Sequence, residues 1–134
     1  MKLYVTSSFR CTSHARTVAL LRKEGYSVFD YREGVQASVR EDVHDPKDWN
    51  VFETDRSALR CCDALVLLLP GGRGAHLEAG YAAGMGKPVL LCHTEDAEMK
   101  PELMYALCST QIFFTDKELL SALYNMKATR PTYR

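Results

Sequence analysis

Ala64-Leu65-Val66-Leu67-Leu68-Leu69, closed at once by Pro70-Gly71-Gly72-Arg73-Gly74, is the stretch that decides the fold. Its apolar run shows no alternation, so both faces are expected to be buried, as in a central strand of a parallel sheet. Proline and glycine then break the strand, and a helix is expected from about Ala75 to Met85. Working outward, Lys2 to Ser7 reads as a first strand. Ser13 can cap a helix carrying Ala15, Val18, Ala19 and Leu21 that stops at Gly25. Tyr26 to Tyr31 reads as a second strand, and Arg32 to Pro46 as a polar, irregular, mobile loop. A helix from Lys47 to Cys61 offers Trp49, Phe52 and Leu59 for burial. Beyond the central helix come a buried strand, Pro88 to His93, and a short helix, Pro101 to Cys108. A strand, Gln111 to Thr115, a helix, Asp116 to Met126, and an extended tail, Thr129 to Arg134, complete the chain.

Strands alternating with helices imply an α/β fold with a parallel sheet covered on both faces. Right-handed crossovers leave a five-stranded doubly wound sheet as the leading topology, in three α/β/α layers. The 134 residues form one domain, 1–134, with no repeat or linker. A net charge of +0 gives no reason to expect a nucleic acid or an anionic membrane as partner. The first residues are too short and polar for a signal peptide, and the longest apolar run is far below the roughly 20 residues of a membrane span. Cys11, Cys61, Cys62, Cys92 and Cys108 are odd in number and form no C-x-x-C pair. They are read as reduced thiols of a cytoplasmic protein, with neither metal nor cofactor expected.

Doubly wound sheets bind ligands at the carboxyl ends of their strands. After the first strand stands Ser7-Ser8-Phe9-Arg10, whose hydroxyls, amides and guanidinium suit a phosphate; a helix cap with a surface arginine reads the same way. After the third stands Gly71-Gly72-Arg73-Gly74, where the backbone can approach a ligand closely; a plain turn is the alternative. It has neither the spacing of a Walker loop nor that of a dinucleotide fingerprint. Glu78 can lean back from the following helix toward the mouth of the sheet, though an exposed helix glutamate fits the pattern too. Asp55 is a candidate second carboxylate for glycosidic chemistry, or a solvated helix residue. Asp63 reads as a turn residue, and His76 as a surface or packing histidine. Gly80 and Gly84 suggest close packing against the sheet or a partner helix. Tyr4, Tyr31 and Trp49 could stack on a base, with core packing the better account of at least two.

The stretch from Asp55 through Cys62-Asp63, the apolar strand, the glycine turn, Glu78-Ala-Gly80 and Gly86-Lys-Pro88 resembles the centre of nucleoside 2-deoxyribosyltransferases and their hydrolase relatives. Those relatives include 2′-deoxynucleoside 5′-phosphate N-hydrolases and CMP N-glycosidases. The resemblance implies a flavodoxin-like fold, a small-molecule nucleoside or nucleotide substrate, and a homodimer or larger homo-oligomer. It implies that Glu78 is the nucleophile forming a glycosyl-enzyme intermediate and that Asp55 helps place the sugar and protonate the base. Ser8-Phe9-Arg10 matches the Ser-x-Arg that grips a 5′-phosphate in the nucleotide hydrolases, and Gly72 and Gly74 fall where relatives contact phosphate or sugar. Cys11 and Thr12 stand where those hydrolases have glycines, Gly72 where they often have serine, and Arg73 is an additional cation.

Other classes fit less well. A non-catalytic nucleotide sensor on the same scaffold is the alternative, since fold does not fix function. A cysteine phosphatase loop needs five residues between its cysteine and arginine, whereas Cys11 and Arg16 are separated by four. A receiver domain needs a phosphorylatable aspartate where the third strand ends in Leu69-Pro70.

Overall fold

A computed structural model describes residues 1–33, 43–93 and 102–129. The strands are β1 (Lys2–Thr6), β2 (Ser27–Asp30), β3 (Ala64–Leu68), β4 (Val89–Cys92) and β5 (Ser109–Phe113). The helices are α1 (His14–Lys23), α2 (Pro46–Cys61), α3 (Arg73–Gly84) and α4 (Asp116–Thr129). The strands form one parallel sheet in the order β2-β1-β3-β4-β5. This is the expected doubly wound, flavodoxin-like α/β arrangement.

The sheet divides the interior into two cores. Leu3, Val5, Val66, Leu68 and Leu90 pack on the side of α1 and α4, with Val18, Leu21, Leu119 and Leu123. Tyr4, Leu65, Leu67, Val89 and Leu91 pack on the side of α2 and α3, with Leu59, Ala75, Ala79 and Ala82. Every residue of β3 is buried, as its unbroken apolar run requires.

Local chemistry explains most boundaries. Gly25 (φ +92°) and Gly86 (φ +78°) occupy the left-handed turns that follow α1 and α3. Asp45 caps α2, its side chain accepting from the Lys47 amide at 2.9 Å, with Pro46 at the first helical position. Ser13 stands at the N-cap of α1 without a side-chain capping bond; its hydroxyl meets the Cys11 thiol at 3.4 Å instead.

Several expectations change. The expected short helix is a 3-10 helix over Leu103–Leu107. Helix α3 begins two residues earlier than expected, at Arg73. Trp49 and Phe52 are 48% and 44% exposed, because only the C-terminal part of α2, at Leu59, reaches the core. The two rings pack edge to face on each other, 5.1 Å apart, and the Trp49 indole donates to the Val43 carbonyl at 2.7 Å. Gly80 and Gly84 do not pack against the sheet: a Cβ at either would meet nothing within 4 Å, since both face outward. The expected mobile loop lies outside the described residues over 34–42, as does the tail over 130–134. No described helix is long and apolar enough to cross a membrane.

The uneven burial of α2 predicts unequal sensitivity. Leu59→Ala should cost about 2–4 kcal/mol in denaturant unfolding, as for a buried leucine. Phe52→Ala should cost less than about 1 kcal/mol, as expected away from a packed core. Equal losses would contradict the packing of α2.

Candidate functional site

Strand β1 lies between β2 and β3, so the chain leaves β1 in one direction and β3 in the other. The crevice between the two exits is the topological switch point. The Ser8 amide donates to the Pro70 carbonyl at 2.9 Å across it, tying the two exit loops together. A Cβ at Gly72 would lie 3.9 Å from the Ser8 Cα, so the loops run side by side. Gly72 is the N-cap of α3 and brings the positive end of that helix to the crevice.

Glycine is needed most at Gly71. A Cβ there would sit 2.9 Å from His76 Cε1 and 3.1 Å from Leu67 Cδ1. The His76 ring folds over the turn, its Nδ1 2.7 Å from the Gly72 carbonyl and its Nε2 2.8 Å from the Tyr105 hydroxyl. Because a carbonyl only accepts, Nδ1 carries the proton and Tyr105 donates to Nε2. His76 is therefore a strut for the glycine turn, in keeping with a packing role.

Glu78 stands in the second turn of α3, and its side chain leans toward the helix N-terminus. The Thr6 hydroxyl donates to its Oε1 at 3.5 Å, and Oε2 is buried. A Cβ on Gly74 would come within 4.0 Å of Oε1. Strand periodicity puts Tyr4 on the same sheet face as Thr6. Burial pushes the Tyr4 phenol far above its usual range, and the charge and hydrogen bonding of Glu78 and the charge of Asp55 push it further. Tyr4 thus stays protonated beside a carboxylate. Tyr31 is pushed up to about 12, first by burial and then by the charge of Glu78, against the pull of Arg32. Two phenols and two carboxylates from β1, β2's exit, α2 and α3 therefore converge on the crevice. Phe29, Tyr31, Val51, Thr54 and Asp55 line an adjoining groove of about 360 Å³.

The other predicted residues divide. Ser8, half-buried, accepts the Arg10 amide on its hydroxyl at 3.2 Å, while Phe9 and Arg10 are exposed beside it. Arg73 and Gly74 are exposed in the first turn of α3. Ser7 departs from the expected pattern: it is 2% exposed and its hydroxyl turns inward to His14 Nδ1 at 2.6 Å. The Ser7 hydroxyl therefore turns away from the crevice. Asp63 accepts the Lys2 amide at 2.8 Å, a structural turn contact as read. Tyr4 is buried and stacks on Phe29 at 5.1 Å, leaving it no face for a base. Arg16 pairs with Asp116 at 3.4 Å, away from Cys11, so the phosphatase reading has no loop. Among the described residues no group of three or more His, Cys, Asp or Glu is placed to hold a metal.

Sequence reading passed over Thr6, His14, Asp30 and Arg32. Thr6 was within reach, since it alternates with Tyr4 toward the Glu78 face. Nothing local marks His14 or Asp30, whose meeting depends on α1 packing beside β2.

The fold and the crevice define a small α/β protein with a carboxylate at the switch point of its sheet. The model of the nucleoside 2-deoxyribosyltransferase family matches residues 8–125, and the chain belongs to that family. No curated protein sequence matches it significantly. Solved structures that share the fold include the following three. A 2-deoxyribosyltransferase from Bacillus psychrosaccharolyticus is 22% identical, with a TM-score of 0.70 over 89% of this chain and 90% of that one. A conserved protein from Enterococcus faecalis V583 is 16% identical, with a TM-score of 0.69 over 94% and 98%. A Clostridium botulinum CMP N-glycosidase is 22% identical, with a TM-score of 0.55 over 92% and 98%.

The strut at the glycine turn can be tested by itself. Gly71→Ala forces His76 and Leu67 to move and should destabilise the fold by about 1–3 kcal/mol, as overpacking does. Unchanged denaturant midpoints would show that the turn has room to give.

Proposed function

We propose that this chain cleaves or transfers the N-glycosidic bond of a nucleoside or nucleoside 5′-monophosphate, with Glu78 as nucleophile. The observation that carries the reading is the Glu78 carboxylate itself, half-buried at the switch point between Thr6 and the phenols of Tyr4 and Tyr31. Family membership supports the same class of chemistry.

In this mechanism Glu78 attacks C1′ of the sugar as the bond to the base breaks, through a transition state with oxocarbenium character. The base leaves with a proton from Asp55 or from a water that Asp55 holds. The sugar is then an ester of Glu78. Water, or a second base, attacks C1′ and releases the carboxylate. Tyr4 and Thr6 orient the nucleophile, and the Tyr4 phenol stabilises its charged form through hydrogen bonding. Ser8, Phe9 and Arg10, with Gly72, Arg73 and Gly74 at the positive end of α3, receive the 5′ end of the substrate, a phosphate in the monophosphates. The groove along Tyr31, Thr54 and Asp55 suits the base, with Asp55 beside it.

Incubation with a panel of nucleosides and 5′-monophosphates, with and without a second base, should release or exchange free base, read by liquid chromatography. Glu78→Gln should lower the rate by at least about 10³-fold, as loss of a nucleophile does. Base release at an undiminished rate in that variant, or none from wild type on any member, would overturn the reading.

The phenol makes a second expectation. A donor to a carboxylate favours its charged form, so removing the donor raises the carboxyl pKa. Tyr4→Phe should therefore move the acid limb of the pH–rate profile upward by about one unit, given the usual worth of a hydrogen bond to a charge. An unmoved or lowered limb would show that Tyr4 does not act on Glu78.

A further inference from the structure

We propose that His14 and Asp30 are positioning residues for the substrate's 5′ end, acting through a buried Ser7–His14–Asp30 chain that sets the shape of the Ser7–Cys11 turn. The inference rests on the reading above, in which Ser8 and Arg10 receive a 5′-phosphate.

The chain is continuous. Ser7 Oγ lies 2.6 Å from His14 Nδ1, and His14 Nε2 lies 2.8 Å from Asp30 Oδ1. Ser7 and His14 are 2% and 1% exposed. Burial lowers the His14 pKa below its ordinary value, against the opposing pull of Asp30, so the neutral ring is favoured. The carboxylate accepts from Nε2–H, which leaves Nδ1 to accept the Ser7 hydroxyl proton. Each ring nitrogen then has one partner of the right kind.

The end of β2 holds the same turn from a second direction. The Tyr31 hydroxyl donates to the Ser7 carbonyl, and the Arg32 amide donates to Asp30 Oδ1 at 2.9 Å. The Arg32 guanidinium donates to the carbonyls of Cys11 at 3.3 Å and Phe9 at 3.4 Å, and lies 5.5 Å from the Phe9 ring centroid. Tyr31 meets the rings of both Phe9 and His14 edge-on. The carbonyls of Ser7, Phe9 and Cys11, whose negative ends would repel an anion, are thus each engaged by a donor from the Tyr31–Arg32 corner. Engaging those oxygens lets the turn present the Ser8 hydroxyl and the Arg10 side chain to a phosphate.

A network of this kind specifies geometry at little gain in stability, because desolvating its polar groups offsets most of their hydrogen bonding. Its effect should therefore appear in phosphate recognition more than in folding. The groups that face His14 are Ser7, Asp30 and Tyr31, with the charge of Arg32 also acting on it.

The test compares wild type, Ser7→Ala, His14→Ala and His14→Gln on the best monophosphate of the panel and its parent nucleoside. Ser7→Ala and His14→Ala should each reduce the preference in kcat/KM for the monophosphate by about tenfold, the worth of one well-made hydrogen bond, through a rise in KM. His14→Gln, which can bridge one of the two partners, should retain more of the preference than His14→Ala. A preference within twofold of wild type in Ser7→Ala, whose small truncation leaves the His14–Asp30 pair in place, would overturn the proposal even if His14→Ala fails to fold. Should wild type release no base, the proposed function falls, and calorimetric titration with inorganic phosphate decides this inference alone. Binding weakened about tenfold in Ser7→Ala sustains it; equal binding, or none by wild type, ends it.

Discussion

The parallel pairing of β1 with β3 is the constraint on which everything else in this protein depends. Leu3 pairs with Ala64 and Thr6 with Leu67, so the two strands end side by side and their exits diverge. The divergence opens the crevice, and the Ser8-to-Pro70 bond holds its two rims in register. Were β1 displaced by one residue, the strand period of two would exchange Tyr4 and Thr6 for Leu3 and Val5 on the Glu78 face. A carboxylate would then meet aliphatic side chains in place of a phenol and a hydroxyl.

The crevice concentrates negative charge without a metal-ligand cluster among the described residues. Glu78 and Asp55 both act on Tyr4, and Glu78 acts on Tyr31 as well. Phenols suit such a place. Burial and neighbouring carboxylates keep them neutral, so they donate hydrogen bonds without adding charge. Arg32 balances the cluster from the β2 side, and the N-terminus of α3 from the other.

Much of the fold was legible because β3 announces itself. An apolar run of that length between Asp63 and Pro70 has few other readings, and its place in the chain organises the strands around it. The errors came where amphipathic residues stand at helical spacing without a partner surface. Trp49 and Phe52 read as core but lie on the part of α2 that does not reach the core, where they pack on each other. Gly80 and Gly84 offered packing against the sheet or a partner helix, and they face outward, away from the sheet. Spacing reports that residues share a face and says nothing of what that face meets.

The sequence by itself determined the order of elements and the parallel sheet, which follow from local periodicity, while its resemblance to a family singled out Glu78 and Asp55 as the carboxylates worth placing at the sheet's mouth. Only the tertiary structure decided that Tyr4, Thr6 and Tyr31 surround Glu78, that Ser7 turns inward, and that His14 and Asp30 join across α1 and β2. The physical reason is that a side chain's direction is set by packing between elements distant in sequence. Hydrogen bonds shorter than 3 Å are possible only after that packing has closed, and no local pattern of residues encodes them.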